Sequence, residues 1–339
     1  MRRIRIAQIG MNRYSHAPEV FTTLKLHPEV FELVGYALVE DERETCADKL
    51  KFFDGFPELS LDEILNDPTI EAVAVETDEI HLNKYAQMAA DAGKHIHMEK
   101  PGSQDLANFE RLIDTMRKSE KVFHTGYMYR YNPLISKAIE RAKANEFGSV
   151  YSVEAHMSRL DDKACRQWFE SFKGGMMFYL GCHLIDIVVQ IQGFPKNIIP
   201  LNTRTGIDGV DTEDLGMAVL QYENGVSLVR MGGAEIGGFD RRQLVICGSK
   251  STLEIRPLEV CVPKSKCGKE NMLSTKQREC ALDKNGAYTM SEMESEPFQR
   301  YEKMLLSFAE MVRGEKKNPY TLDYELELFR TILKCCGVE

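Results

Sequence analysis

Lys100 stands between Glu99 and Pro101 at the end of a short apolar run, and His183 lies four residues after Tyr179 and three before Asp186. A lysine whose backbone is turned away from helix by the following proline can hold its ammonium where a strand ends. A histidine with an unperturbed pKa near ~6.5 can take a hydroxyl proton and return it at neutral pH. The i, i+4, i+7 spacing puts Tyr179, His183 and Asp186 on one face of a helix. Each residue also has a bland reading: a surface lysine, a satisfied core histidine, an aspartate that is structural rather than catalytic. Glu99 reads as the group that orients the lysine and borders a cofactor.

A dinucleotide fingerprint would read G-x-G-x-x-G after a first strand, with an acidic residue closing the second strand for the ribose. This chain has Gly10-Met11-Asn12-Arg13-Tyr14-Ser15-His16, one glycine of three. Asn12 can adopt the left-handed backbone that glycine normally supplies. The helix N-terminus near Ser15 still offers amides to an anion. Arg13 either contacts phosphate or is solvated. Leu38 falls at the acidic position, with Glu40 two residues on.

The elements that must position these residues are legible from period. From Arg3 to about Thr125, short apolar runs alternate with amphipathic helices, as in a parallel sheet wound with crossover helices. Strands are expected at 4–10, 33–39, 70–75, 95–98 and 122–125. Helices are marked by Ala17, Val20, Phe21 and Leu24, by the capping box Ser60 to Glu63, by Leu82 to Ala89, and by Leu106 to Met116. Asn132-Pro133 opens a helix to about Ala144. Beyond it the period becomes two: Tyr151, Val153, Ala155 and Met157 alternate with polar residues. Asn224-Gly225 joins the runs 215–222 and 226–231 as a hairpin, and 244–247 pairs with 252–255. Residues 263–296, rich in Pro, Lys, Ser and Glu, read as a long mobile excursion, followed by two helices.

The totals agree with a globular protein of two domains. A chain of 339 residues exceeds the size at which single cores stop growing. Forty-three Lys and Arg against 52 Asp and Glu give a net charge of −9, which disfavours nucleic acid. Nine cysteines with no C-x-x-C pair indicate neither a disulfide framework nor a metal site. No apolar stretch is long enough to span a bilayer, so no membrane partner and a cytoplasmic location are expected.

Glu99-Lys100-Pro101, then Tyr129 to Pro133, then Gly-Gly-x5-Gly-x-His-x-x-Asp over 174–186 appear in an order that resembles the glucose-fructose oxidoreductase, inositol dehydrogenase and rhizopine-catabolism family (Gfo/Idh/MocA). The resemblance runs from the first strand to the last helix. It implies an α/β fold: an N-terminal Rossmann doubly wound parallel sheet over 1–125, and over 126–339 an α+β substrate-binding and oligomerisation domain with a largely antiparallel open-faced sheet. It implies Lys100, His183 and Tyr179 as catalytic residues, with Lys100, Arg130, Tyr179 and His183 facing a sugar or polyol substrate. Cofactor contacts would come from Gly10, Met11, Asn12, Arg13, Leu38, Thr77, His81, Glu99, Lys100 and Trp168. Thr77 to His81 resembles the family's T-P-N-x-x-H loop, shortened and without the proline, and also reads as an ordinary helix start. Trp168 sits where relatives carry an indole near the nicotinamide, or is a core residue.

In many relatives an aspartate stands where this chain has Tyr179. The tyrosine either joins a proton relay with Lys100 and His183 or only shapes the pocket. The implied activity is an NAD-dependent oxidoreductase, with NADP as the alternative cofactor, acting on a secondary hydroxyl of a sugar, glycoside or polyol, as a homodimer or homotetramer without a metal. Two other readings stay open. One is an NAD-dependent glycosidase of the same family, and the other a degenerate sugar- or partner-binding protein, against which the retention of both Lys100 and His183 argues.

Overall fold

A computed structural model describes residues 2–338. By contacts the chain divides into two compact units, 1–127 with 301–329 and 128–300 with 330–339. The first unit holds β1 Ile4–Ile9, α1 Ala17–Leu26, β2 Phe31–Ala37, α2 Glu42–Thr45, α3 Leu61–Asn66, β3 Ala72–Val75, α4 Leu82–Asp91, β4 His95–Met98, α5 Leu106–Ser119 and β5 Phe123–Thr125. The five strands pair in parallel in the order β2-β1-β3-β4-β5. β3 is Ala-Val-Ala-Val, buried at every position, the continuous apolar run that a sheet covered on both faces requires. The chain leaves β1 toward β2 on one side and resumes at β3 on the other. That reversal is where an open α/β sheet parts its loops for a ligand.

The second unit holds α6 Pro133–Lys143, β6 Val150–His156, α7 Lys163–Trp168, α8 Cys182–Gln192, β7 Asn197–Pro200, β8 Leu215–Tyr222, β9 Gly225–Gly232, β10 Gln243–Gly248, β11 Ser251–Ile255, β12 Val260–Val262, α9 Lys264–Cys267, β13 Met272–Ser274, β14 Lys276–Leu282 and β15 Tyr288–Glu294. Eight strands form one sheet in the order β15-β14-β11-β10-β6-β9-β8-β7, and β12 pairs with β13. All neighbours in the large sheet are antiparallel except β6 with β9. α8 lies against β6 and β9. Asn132 caps α6 by accepting from the amides of Leu134 and Ile135, as its place before a proline predicts.

Two expectations are corrected here. Residues 263–296 are not an unstructured excursion: β14 and β15 form a seven-rung hairpin. The signal was missing because β15 is exposed along its whole length, so no buried face imposes alternation. The chain after Arg300 also does not stay with the second unit. α10 Glu302–Val312 packs on α1, and α11 Leu322–Cys335 contains the division at 329/330. Burial drives this, because α10 turns Met304, Leu305 and Phe308 inward. The Phe308 ring lies 5.9 Å from that of His97 and 5.6 Å from that of His124.

Phe308→Ala should therefore cost about 3–5 kcal/mol. Residue-resolved hydrogen exchange should show the lost protection in β4 and β5. Loss confined to strands of the eight-stranded sheet would contradict this packing.

Candidate functional site

In the first unit the carboxyl ends of β1, β3 and β4 converge. Gly10 has φ +92°, and a Cβ there would lie 2.7 Å from the amide nitrogen of Thr77. The first fingerprint glycine is thus required by the close approach of two strand ends. Asn12 is buried and works with both ends of its amide. Its Oδ1 accepts from the amides of Tyr14 at 2.7 Å and Ser15 at 3.2 Å, and its Nδ2 donates to Glu79 Oε2 at 2.7 Å and to the Thr77 carbonyl at 3.3 Å. Lys49 Nζ donates to the carbonyls of Asn12 and Arg13 at 3.0 and 2.5 Å.

The other cofactor-side expectations divide. Thr77 is buried and donates its hydroxyl to Glu42 Oε1 at 2.6 Å. Glu42 Oε2 accepts from the Val39 amide at 2.8 Å, and burial pushes this carboxyl up to about 7. His81 Nδ1 lies 3.6 Å from Glu40, whose carboxylate accepts from Lys84 at 2.6 Å and Tyr85 at 2.8 Å. Those two hydrogen bonds hold Glu40 below its ordinary pKa. Arg13 is exposed and donates to the Thr45 carbonyl at 3.0 Å. Met11 and Leu38 are corrections. Met11 points into a core with Ala17, Phe21, Cys46 and Phe53, and Leu38 packs against that cluster. Both are apolar side chains, and burying them gains more than lining a polar loop would.

Lys100 is buried with its ammonium 3.3 Å from Glu99. Around this pair lie acids that the sequence reading passed over. Glu76 closes β3, fully buried, with Oε1 3.6 Å from His97 Nε2. Glu79 is fully buried as well. Burial pushes Glu79 up to about 8 and Glu76 well above the carboxylate range, and pushes His97 down to about 3. The signal was available: Glu76 follows the all-buried strand directly, and a side chain so placed leaves water with it.

In the second unit, Gly174 and Gly175 have φ of +82° and +46°, and a Cβ on Gly175 would meet the Glu213 carbonyl at 2.3 Å. They lead into a π-helical turn, Met177–Gly181, that runs into α8. Such turns concentrate at functional sites. The wider turn also alters the phase between Tyr179 and α8 from the ideal-helix spacing read in the sequence. His183 is buried on the first turn of α8, with the Tyr129 ring edge-on at 5.3 Å. Tyr129 donates its hydroxyl to Glu259 at 3.0 Å and accepts from Arg242 at 3.2 Å. Burial, then the Glu259 charge, raises the pKa of that hydroxyl, so it stays protonated.

The Tyr179 hydroxyl accepts from Arg159 at 3.5 Å, and its ring packs edge-on to Trp168 at 5.2 Å. Trp168 is half-buried in this aromatic group with Phe172. Arg130, expected to face substrate, is instead a buried partner of Asp186: Nε donates to Oδ2 at 3.0 Å and Nη2 to Oδ1 at 2.7 Å. A guanidinium buried this deeply needs a bidentate carboxylate. Asp186 also accepts from Gln190 at 2.9 Å, which is the structural role its position suggested.

The first unit's residues fit a nicotinamide dinucleotide. Gly10 allows the ends of β1 and β3 to approach closely, the loop after it leads into the ten-residue helix α1, and the partly exposed Glu40 carboxylate beyond the end of β2 suits ribose hydroxyls. Comparison with known proteins gives the same direction. Residues 4–127 match the oxidoreductase family with NAD-binding Rossmann fold, and residues 135–254 match the GFO/IDH/MocA C-terminal domain.

Among curated proteins, the chain is 29% identical over 170 residues to D-xylose 1-dehydrogenase (NADP(+)) 2 of Haloferax volcanii, covering 50% of this chain and 51% of that protein. It is 23% identical over 263 residues to myo-inositol 2-dehydrogenase of Thermotoga maritima, covering 74% of each. The chain spans about half the length of several curated relatives it matches. Among solved structures, aldose-aldose oxidoreductase from Caulobacter crescentus, complexed with glycerol, superposes with a TM-score of 0.77 at 18% identity, covering 99% of this chain and 97% of that one. An oxidoreductase from Thermotoga maritima gives 0.76 at 18%, covering 99% and 96%. At such identities these two likenesses speak for the fold. With both of its domain types matched in order along one chain, the protein belongs to the Gfo/Idh/MocA family of oxidoreductases.

Proposed function

We propose that this protein is an NAD-dependent oxidoreductase acting on a secondary hydroxyl of a sugar, glycoside or polyol. The observation that carries the reading is Lys100, buried on Glu99 at the carboxyl end of β4 in an NAD-binding Rossmann unit. The bound dinucleotide supplies the hydride acceptor or donor. Lys100 stabilises negative charge on the substrate oxygen, and its own charge is held in place by Glu99. His183 takes the hydroxyl proton in oxidation and returns it in reduction, with its ring packed against Tyr129. Two relatives support the substrate class by name, one a xylose and the other an inositol dehydrogenase.

Glu40 favours NAD. A carboxylate anchored by Lys84 and Tyr85 accepts hydrogen bonds from ribose hydroxyls and repels a 2′-phosphate. A second reading, a sugar-binding chain without turnover, has one observation in its favour: Asn12 Oδ1 already occupies the Tyr14 and Ser15 amides.

Titration of NADH fluorescence should give a Kd between micromolar and low millimolar, roughly 4 to 8 kcal/mol. NADPH should bind at least about tenfold more weakly, and Glu40→Ala should narrow that gap. If neither nucleotide binds at millimolar concentration, the oxidoreductase reading falls and the binding-protein reading takes its place.

His183→Ala should lower kcat by about 10²- to 10⁴-fold on any sugar or polyol the enzyme oxidises, with the Kd for NADH little changed. A near-normal kcat would make His183 a packing residue. Tyr179→Phe removes one hydroxyl and keeps the ring against Trp168. A fall in kcat with a changed pH profile would put that hydroxyl in the proton relay, and unchanged kinetics would assign Tyr179 to pocket shape.

A further inference from the structure

Asn12 occupies the second glycine position of the fingerprint and Glu79 follows the end of β3 by four residues, yet the two side chains meet at 2.7 Å. Asn12 is therefore held from below. Its Nδ2 rests on Glu79 and on the Thr77 carbonyl, while its Oδ1 organises the Tyr14 and Ser15 amides at the entry to α1. The shape of the loop after β1 thus depends on a side-chain contact whose lower partner is an acid.

Glu79 is fully buried, and its Oε1 has no hydrogen-bond partner. The charged groups that face it come from two segments: Asp78 beside it, and Glu99 with Lys100 from the end of β4. Glu76, at the end of β3, is buried in the same acidic group and is raised in turn by Glu99 and Glu79. His97 faces Glu76 and is held neutral by burial. Lys100 is the single cation among these groups, and its ammonium lies 3.3 Å from Glu99. It favours the charged form of Glu79 too, but that attraction is shared with Glu99 and Glu76 and is smaller than the cost of burial. Burial with like-charge neighbours disfavours ionisation, consistent with a Glu79 carboxyl pushed up to about 8.

We propose that Glu79 is a positioning residue for dinucleotide binding: it holds Asn12, and through Asn12 it fixes the course of the loop after β1 against which the cofactor lies. The inference rests on the dinucleotide reading above. Its ionisation would place a negative charge directly beneath that loop. Binding of an anionic cofactor then weakens as pH rises, because the competent form of the site carries one more proton. Its function differs from that of Lys100 and His183, since Glu79 acts on cofactor affinity and not on the proton of the substrate.

The test is the Kd of NADH between pH 6 and 9.5, read by fluorescence titration for the wild type, Glu79→Gln and Asn12→Ala, with folding checked by circular dichroism at each pH. For the wild type the Kd should be flat below about pH 7 and about tenfold weaker at pH 9, following from a carboxyl near 8. Glutamine keeps an acceptor oxygen for Asn12 and cannot ionise. Glu79→Gln should bind within about twofold of wild type at pH 6.5 and lose the pH dependence. Asn12→Ala should bind more weakly at pH 6.5 and show a shallower pH dependence.

An equal rise of Kd in wild type and Glu79→Gln would overturn the proposal, as would a folded glutamine variant that cannot bind at pH 6.5. Should the glutamine variant not fold, a wild-type Kd flat across the range would refute the proposal. Without that variant, a wild-type rise that Asn12→Ala makes shallower would support the proposal, and one that it leaves unchanged would overturn it. Absence of NADH and NADPH binding by the wild type at every pH would instead remove the dinucleotide reading itself.

Discussion

A carboxylate removed from water at the end of a parallel sheet must acquire a cation, a set of donors or a proton. Four glutamates of the first unit meet that requirement in different ways. Glu99 has Lys100 at 3.3 Å. Glu42 has the Thr77 hydroxyl and the Val39 amide. Glu79 has Asn12, and it and Glu76 favour the proton. Each solution fixes a residue that the proposed chemistry needs: the ammonium of Lys100, the hydroxyl of Thr77, the amide of Asn12. Buried pairs of this kind add little net stability, and breaking one costs about 3–5 kcal/mol because the abandoned charge stays buried. Their contribution is positional.

The second unit obeys the same rule with arginines. Arg130 is closed on Asp186, and Arg166 is held by Asp214 and Asp208. Glu259 accepts two hydrogen bonds from Arg300 at 2.8 Å and one from Tyr129. The first pair ties Arg130, just before α6, to α8. The Glu259 group fixes the hydroxyl of Tyr129 and so the ring beside His183. A histidine that must exchange a proton needs a defined orientation, and packing against an anchored ring supplies one.

Much of this was legible in the sequence wherever a local rule acts alone. Asn132 before Pro133, Ser60 with Glu63, and Asn224-Gly225 each sit where a cap or a turn has one good solution. The misreadings share a different origin. Met11 and Leu38 were placed by alignment to a fingerprint, which specifies order along the chain and not which face a side chain takes. Arg130 and Asp186 stand 56 residues apart, and nothing local announces that one neutralises the other. β15 carries no buried face, so its pairing with β14 leaves no period to read. Glu42 and Glu79 show as charges in the sequence. Only the fold reveals that they are buried, and burial is what changes their chemistry.

Tyr179 shows how far a family pattern can be carried from residue to residue. An aspartate at that place, as in many relatives, would add a negative charge one turn before the histidine and favour its protonated form. Here the hydroxyl accepts from Arg159, whose guanidinium lies 5.3 Å over the ring and is paired with Asp161. The local charge partner is a cation, so an aspartate introduced at 179 would meet Arg159 first. Its effect on His183 would be partly cancelled. The substitution of tyrosine for aspartate is therefore matched by its surroundings. The aromatic group of Trp168, Phe169 and Phe172 receives the ring, and Arg159 receives the hydroxyl. The neutral hydroxyl at 179 therefore answers to Arg159 and to the aromatic group around it.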